Sequence, residues 1–309
     1  MINNIKFIAA ITIACLFFSG CVKDGVDECP PGDVNIHIYV EKFRNKSQNP
    51  LDEREDVFGD IIKHMRYYLY KEGSLYKEGL ITDFRNTTGN HYAMGFSNLD
   101  YADYELVIVG NSTKDALAGD ISQSANLFVT YPGCTDTEDY FSAVYPFTVN
   151  SDKPMNFDVG LLRMHGVIRY NFKDMPADII AMEIAMENVT GEKWITGDYK
   201  KTLRASRNYD IIKLRSIAEA DADDIISSPY IMGTFPTLEG EKAAYHLSLF
   251  REGEEKAYRS EIVSSELTIT RNQLLDLLVT FNPDGTLGFE ILLDNSWDGS
   301  SPGGETGID

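Results

Sequence analysis

The sequence predicts a mainly β protein made of antiparallel β-sandwich domains in tandem. Apolar and polar residues alternate with a period of two in most segments, short turn-forming stretches separate these segments, and few segments show a helical period. Antiparallel strands with this alternation bury one face and expose the other. The chain of 309 residues is long enough for two such domains.

The first 20 residues are typical of a secretory signal peptide. Lys6 gives a short positively charged start, and an almost wholly apolar stretch follows it. This stretch is shorter than the roughly 20 residues that a membrane-spanning helix needs. Ser19 and Gly20 then precede Cys21, as in bacterial lipoproteins that are cleaved before a lipid-carrying cysteine. We therefore predict a signal peptide over residues 1–20 and lipidation of Cys21; the alternative is an ordinary signal peptide with a cysteine there by chance.

Residues 21–33 form a short segment rich in Gly, Pro and Asp, which predicts a tether between the lipid and the folded domains. Two or three acyl chains on Cys21 would hold the protein on a membrane almost permanently, because each buried CH₂ group contributes about 0.8 kcal/mol. Lys23 and Asp24 resemble the charged segments that direct some lipoproteins to the outer face of the outer membrane. We expect a lipid-anchored protein of the outer membrane.

The formal net charge of −20 limits the possible partners. Binding of nucleic acid depends on Lys and Arg side chains that neutralise phosphates, so a strongly acidic surface repels nucleic acid. The same surface repels anionic lipid head groups. We therefore predict no nucleic-acid partner, and attachment to the membrane through the acyl chains alone.

Two of the four cysteines are available for a disulfide. Cys15 leaves with the signal peptide and Cys21 is used for lipidation, so Cys29 and Cys134 remain in a compartment that permits disulfides. The candidate disulfide is Cys29–Cys134. The alternative is two separate buried thiols.

The first domain is predicted over residues 34–152. Strands are expected at Val34–Val40, Met65–Tyr70, Leu75–Tyr76, Tyr92–Phe96, Tyr104–Val109 and Tyr140–Val149. The second and third strands form a hairpin around a Lys-Glu-Gly-Ser turn. The strand at Tyr104–Val109 is apolar at consecutive positions, so we expect it to be buried on both faces. Ser112 is a suitable N-cap for a helix predicted from Thr113 to Ala125.

The second domain is predicted over residues 153–298, followed by a flexible tail at 299–309. Turn-forming residues between Asn150 and Pro154 mark the boundary. Strands are expected at Ile168–Phe172, Ile180–Met186, Tyr245–Leu249, Leu267–Ile269 and Leu287–Leu293, with a helical turn from Thr270 to Leu278. The strand at Ile180–Met186 also has a composition that suits a helix. The polar, acidic residues 198–228 predict a long surface excursion.

The sequence contains no recognisable catalytic or metal-binding pattern. None of the five histidines has the H-E-x-x-H spacing of a zinc site, and no nucleotide-binding glycine motif is present. Asp221, Asp223 and Asp224 allow a calcium site, but the glycine and glutamate of an EF-hand loop are missing, and a solvated acidic loop is the alternative. We therefore predict a protein that is not an enzyme and needs no cofactor or metal.

Several features in a fixed order resemble one family. Cys21-Val22-Lys23-Asp24 is followed by Cys29-Pro30-Pro31-Gly32 and the alternating strand, and an L-x-R-type stretch runs from Asp158 to Ile168. Trp297 closes the last predicted strand. Over nearly the whole chain, this order resembles the fimbrium anchor subunits of the FimB/Mfa type, which belong to type V fimbriae.

The resemblance implies two transthyretin-like β-sandwich domains and a place at the base of a fimbrium. It implies that the protein binds the first stalk subunit, and that it limits the length of the fimbrium. Stalk subunits of such fimbriae join by donating a strand to a neighbour, which is β-augmentation. The alternative is a surface glycan-binding lipoprotein of a nutrient-uptake system, which would need an exposed aromatic platform. A lipoprotein hydrolase is a third hypothesis.

Overall fold

The computed structural model describes residues 31–41, 57–114, 116–131, 139–210, 225–253 and 256–296. Most of these residues lie in β-strands and very few in helices, so the predicted mainly β fold is confirmed. The described residues also include one short helix, α1, at Phe58–Ile61 and a 3₁₀ turn at Ser124–Asn126.

The strands of the first half are β1 Gly32–Val40, β2 Met65–Lys71, β3 Ser74–Ile81, β4 Thr87–Thr88, β5 His91–Leu99, β6 Ala102–Gly110, β7 Leu117–Gly119, β8 Leu127–Thr130, β9 Phe141–Val149 and β10 Met155–Arg163. Those of the second half are β11 Gly166–Lys173, β12 Ile179–Trp194, β13 Tyr199–Asp210, β14 Ile225–Thr234, β15 Ala243–Arg251, β16 Arg259–Leu267, β17 Gln273–Phe281 and β18 Leu287–Ser296. Most predicted strands are found, including the hairpin of β2 and β3.

Eight strands of the first half form one sheet, in the order β3-β2-β6-β9-β10-β1-β5-β4. The sheet folds over so that strands from its two ends face each other, and Tyr67 of β2 contacts Phe96 of β5 with ring centroids 5.6 Å apart. One apolar core lies between the two layers, and it includes Val34, Leu106 and Val159. The predicted boundary between residues 152 and 153 lies between β9 and β10, which pair within this sheet.

The second half contains a separate apolar core between two further sheets. One sheet has the order β14-β11-β17-β18, and the other has the order β16-β15-β12-β8-β7, with β13 paired to the far side of β12. Strands β7 and β8 come from the first half of the chain and extend the sheet of the second half. The prediction that the domains are transthyretin-like stays a prediction.

Most strand pairs are antiparallel, as predicted, but two pairs are parallel. β1 runs parallel to β10, and β11 runs parallel to β17. Both pairs join strands that are far apart in the sequence, which parallel pairing requires because its connections are long. The period of apolar residues predicts that a segment is a strand, but it does not indicate its partner or its direction.

The helix predicted from Thr113 to Ala125 is absent, and the segment instead forms β7 and the 3₁₀ turn. Its backbone groups bond across the hairpin of β7 and β8, and the Thr130 N–H donates to the Ala116 carbonyl oxygen at 2.7 Å. Ser112 caps no helix; its carbonyl accepts a hydrogen bond from His64 Nε2 at 2.9 Å. Hydrogen bonds to the neighbouring strand satisfy the backbone N–H and C=O groups that a helix would otherwise satisfy.

Two other predictions of the second half are corrected. The helical turn from Thr270 to Leu278 is wrong, because the apolar run enters β17, which lies between two other strands and is almost wholly buried. The Thr270 N–H does bond to Gln273 Oε1 at 2.9 Å, but this closes a turn and not a helix. The surface excursion at 198–228 is wrong at its ends, where β13 and β14 lie. Residues 211–224, with Asp221, Asp223 and Asp224, lie outside the described residues.

Candidate functional site

The predicted site residues lie outside the described part of the chain. Cys21, Cys29 and Cys134 belong to segments that the structure does not describe, and so does Trp297. Lipidation of Cys21 and the Cys29–Cys134 disulfide therefore stay predictions. The described residues nevertheless show how the predicted tether continues into the fold.

Strand β1 follows the predicted tether directly and lies in the middle of its sheet. Val34, Ile36 and Ile38 have no exposed surface, whereas Asn35 and His37 between them are exposed, as the alternating sequence predicts. β1 pairs with β10 on one side and with β5 on the other. β1, the first described strand after the predicted tether, thus has backbone partners on both sides and one fully buried face.

A buried charged cluster lies where β10 leads into the second half of the chain. Asp139 accepts a hydrogen bond from Arg163 Nη2 on Oδ2, and its Oδ1 lies next to His165 Nε2; both distances are 2.6 Å. All three side chains are at least nine-tenths buried. Burial lowers the pKa of the Arg163 guanidinium, and the Asp139 carboxylate acts in the opposite direction. Charged groups this deep in a protein are stable only when they are paired.

Aromatic rings pack tightly around this cluster. Tyr131 stacks on the His165 imidazole with ring centroids 5.1 Å apart and on Phe235 at 4.9 Å. The Tyr199 hydroxyl donates to the Met164 carbonyl oxygen. Gly233 is required here, because a Cβ atom at this position would lie 2.3 Å from the Tyr131 hydroxyl oxygen. The cluster and its rings thus fill the junction between the two halves.

A third apolar cluster continues the junction along the outer face of the first sheet. Tyr68 and Tyr70 of β2 and Val107 and Val109 of β6 pack against β8, Ile195 and Phe235. Alternate residues of β2 and β6 therefore belong to two different cores, so both strands are buried on both faces, as predicted for Tyr104–Val109. β8 also pairs with the end of β12, which ties the two halves together by backbone hydrogen bonds.

Sequence reasoning noted Arg163 and His165 in the L-x-R-type stretch but missed their partner. Asp139 precedes β9, and its distance of more than 20 residues along the chain gives no pairing signal. Two ionisable residues among apolar neighbours do indicate that a buried opposite charge is needed. That signal predicts a carboxylate partner, but it does not identify which one.

The three side chains of this charged cluster are almost wholly buried at the junction of the two halves. Among the described residues, no group of three or more His, Cys, Asp or Glu side chains is placed to hold a metal ion. No helix in the described ranges is long and apolar enough to cross a membrane. The arrangement is suited to holding two β-sandwiches in a fixed relation.

One concave region lies on the solvent face of the first sheet, above β10, β1 and β5. It has a volume of about 340 Å³ and is lined mainly by neutral polar and small side chains, including Asn35, His37, Ala93 and Asn156. The Asn35 amide donates to the Asn156 amide oxygen at 3.1 Å. The exposed tyrosines lie elsewhere: Tyr76 in β3, Tyr101 before β6 and Tyr258 before β16.

Comparison with known families gives one match over most of the chain. The model of the family described as "Fimbrillin-A associated anchor proteins Mfa1 and Mfa2" matches residues 26–298. No curated protein sequence matches the chain.

Several solved structures have the same fold as this chain. A candidate polysaccharide-binding protein of Bacteroides thetaiotaomicron superposes with a TM-score of 0.58 at 10% identity, covering 86% of this chain and 96% of that one. A candidate adhesin of Bacteroides ovatus gives 0.55 at 11% identity, with 89% and 98% covered. The fimbrial anchor protein Mfa2 of Porphyromonas gingivalis gives 0.52 at 10% identity, with 86% and 98% covered. At these identities the likeness is one of fold.

Proposed function

Because the chain belongs to the family of fimbrillin-A associated anchor proteins, we propose that it anchors a fimbrium to the outer membrane and binds its first stalk subunit. The acyl chains on Cys21 hold the protein in the membrane, and the folded part holds the fimbrium. The family match over residues 26–298 is the observation that carries this proposal, and the family is one of fimbrial anchors at the cell surface. The role is mechanical and not enzymatic.

The position of β1 supports a load-bearing role. The chain between Cys21 and Gly32 can reach at most about 40 Å when fully extended, at ~3.6 Å per residue, so the first sheet stays close to the membrane. A force on the fimbrium that is resisted at Cys21 must pass through β1. Its hydrogen bonds to β10 and β5 and the buried side chains of Val34, Ile36 and Ile38 resist extraction of the strand.

The buried junction supports transmission of force between the two halves. The Asp139 cluster, the Tyr131 stack and the pairing of β8 with β12 join the first sheet to the second core. Because these contacts are buried and directional, we expect the halves to move as one body under load. We also propose that the protein limits the length of the fimbrium, because a lipidated base cannot move outward with the polymer.

Deletion of the gene in its native host tests the proposal. We expect fimbriae to be shed into the medium and to be longer than those of the parent strain, and expression of the wild-type protein should restore both properties. A pull-down with the full-length protein from the cell surface should recover fimbrial subunits. Fimbriae that remain cell-bound and unchanged in length in the deletion strain would overturn the proposal.

A second candidate function is binding of a neutral surface glycan at the concave region over β10, β1 and β5. Two observations favour it: the neutral polar side chains that line that region, and the similarity in fold to the candidate polysaccharide-binding protein of Bacteroides thetaiotaomicron. A glycan array with the wild-type protein tests it. Ala93→Trp would fill the region and abolish specific binding, whereas Ser97→Trp on the same face of β5 would leave it unchanged; no specific binding by the wild type would exclude this function.

A further inference from the structure

We propose that the open edge of β18 is the docking surface of this molecule, and that it receives an extended apolar segment of a fimbrial subunit as an added strand. This inference rests on the proposed anchoring function. It adds the location of the contact, the residues that form it and the chemistry of the segment that fits it.

The last described strand has a partner on one side only. β18 pairs with β17 along its whole length, from Leu287 opposite Phe281 to Ser296 opposite Gln273. Its other side has no paired strand among the described residues. That side carries a row of backbone N–H and C=O groups, which form a template for another extended chain.

Side chains on the core-facing side of β18 are incompletely covered. Phe289 lies opposite Val279, and Ile291 lies opposite Leu277. Val279 and Leu277 are fully buried core residues, and directly opposed residues of an antiparallel pair point to the same face. Ile291 is nevertheless 49% exposed, so the seam of the second sandwich is open at this strand. Leu292, at the irregularity in the pairing, is also half exposed.

The neighbouring edge strand β16 is protected in a way that β18 is not. Arg259 and Glu261 lie opposite the core residues Leu249 and Leu247 and form an ion pair with each other. Charged residues that point toward the core side of an edge strand prevent another strand from adding to it. β16 and β18 approach each other at this corner of the sandwich, so the protected and the open edge lie side by side.

Other edges with described side chains are also unsuited to strand addition. β13 carries the exposed side chains of Lys200, Lys201 and Arg204, and lysine-rich edges resist pairing. β4 and β7 have only two and three residues, which is too short to hold a donated strand. The Leu75 N–H of β3 is already bonded to the Ser122 carbonyl oxygen, so the loop before β8 covers the start of that edge.

The geometry of β18 determines the chemistry of its occupant. Only an extended backbone satisfies the open row of N–H and C=O groups, and an apolar side chain at every second position is needed to cover Ile291 and Phe289. Glu290 is exposed on the same strand, and the whole chain carries a net charge of −20. A segment with basic residues at the intervening positions is therefore complementary.

Two variants of the full-length protein test this inference. Ile291→Lys puts a charge into the open seam, whereas Ile262→Lys puts the same charge on the outer face of β16, where Ile262 is 60% exposed. Subunits dissociated from fimbriae that the deletion strain sheds serve as the binding partner. We expect Ile291→Lys to weaken binding by about tenfold or more and Ile262→Lys by less than about twofold. Thermal unfolding of both variants shows whether each is folded.

Amide hydrogen exchange gives a second readout that does not depend on a variant. Binding of the subunits should slow exchange in residues 287–292 of the wild-type protein and leave β16 unchanged. Equal affinities of the two lysine variants, or no added protection in β18, would overturn the inference. Two further results would overturn the inference. One is slower amide exchange in β18 when the protein dimerises without subunits, and the other is faster exchange in β18 when residues 297–309 are removed.

The outcome is distinguishable from failure of the anchoring function itself. In one outcome, the deletion strain sheds its fimbriae while the Ile291→Lys strain retains them as the Ile262→Lys strain does. That result would support the anchoring function and contradict the assignment of the β18 edge as the docking surface. If the deletion strain retains its fimbriae, the anchoring function is wrong and the edge has no partner of this kind.

Discussion

The first and last strands that the structure describes both have apolar residues at alternate positions, but their surroundings are opposite. β1 and β18 are nearly equal in length, and both place apolar side chains toward a core. β1 lies between two partners in the middle of its sheet, whereas β18 has one partner and forms an edge. The number of backbone neighbours, and not the apolar pattern, makes one strand a firm attachment and the other a surface available to a partner.

Two isoleucines show the same contrast at the level of one side chain. Ile36 of β1 has no exposed surface, whereas Ile291 of β18 is 49% exposed although it lies opposite a buried core leucine. Ile36 is enclosed by neighbours on both sides and by the opposite layer. Ile291 lacks the neighbour on its open side. An anchor needs both situations, because it must hold its own tether and accept another molecule.

β1 and β18 belong to different halves of the molecule, and the junction around Asp139 joins these halves. The largest effect is expected from Asp139→Ala, which leaves Arg163 and His165 buried without their carboxylate. Breaking a buried ion pair by removing one partner costs about 3–5 kcal/mol. Urea unfolding should show this loss.

The control for Asp139→Ala is Asp178→Ala. Asp178 pairs with Arg251 at 2.7 Å in a largely exposed position, and such surface pairs contribute only about 0–1 kcal/mol. Equal losses for the two variants would show that the buried cluster does not hold the junction.

The next largest loss of stability is expected in a comparison of alanine variants of the two strands. Ile36→Ala should lower the free energy of unfolding by about 2–5 kcal/mol, because it leaves a cavity in a closely packed core. Ile291→Ala should lower it by less than about 1 kcal/mol, because water already reaches that side chain. Chemical denaturation of both variants measures the difference. A loss for Ile291→Ala as large as that for Ile36→Ala would mean that the β18 edge is closed.

A smaller, pH-dependent effect on the free energy of unfolding is expected from Tyr70, on the outer face of β2. Burial raises the pKa of Tyr70 to about 12, above the value of about 10 of a tyrosine in an unfolded chain. The stability that its protonated hydroxyl contributes is fully present below pH 10 and is lost as the pH rises through about 12. The hydroxyl donates to the Ile121 carbonyl oxygen at 3.0 Å.

Tyr70→Phe tests this assignment. At neutral pH it should cost about 1 kcal/mol, the usual net value of one hydrogen bond. It should also reduce the loss of stability between pH 10 and 12. The exposed Tyr76→Phe should change neutral stability by less than about 0.5 kcal/mol. A Tyr70→Phe variant with the alkaline unfolding profile of the wild type would contradict the burial argument.

The sequence predicted local features well and long-range ones poorly. The alternation in β1 and the consecutive apolar residues of β6 gave both strands and their burial, because each pattern reflects which faces of one strand meet the core. The segment 113–125 was predicted as a helix because its local composition permits one. In the structure its strand β7 pairs with β8, and β8 in turn pairs with β12, more than 60 residues later.

The same limit applies to the candidate sites. Lipidation of Cys21 stays a prediction that rests on the leader beside it, which is a purely local signal. Asp139 and the open edge of β18 could not be found in this way, because each is defined by what lies next to it in space. The apolar residues at every second position of β18 predict one buried face, and only the strand order shows that one edge of the strand is unpaired.

The most direct test of the anchoring account is the fraction of fimbriae that stays on cells expressing Cys21→Ala in place of the wild-type protein. The account predicts that the variant folds, leaves the membrane fraction and appears in the medium at the base of shed fimbriae. A membrane-bound variant, or fimbriae that stay on the cells at the wild-type level, would contradict it.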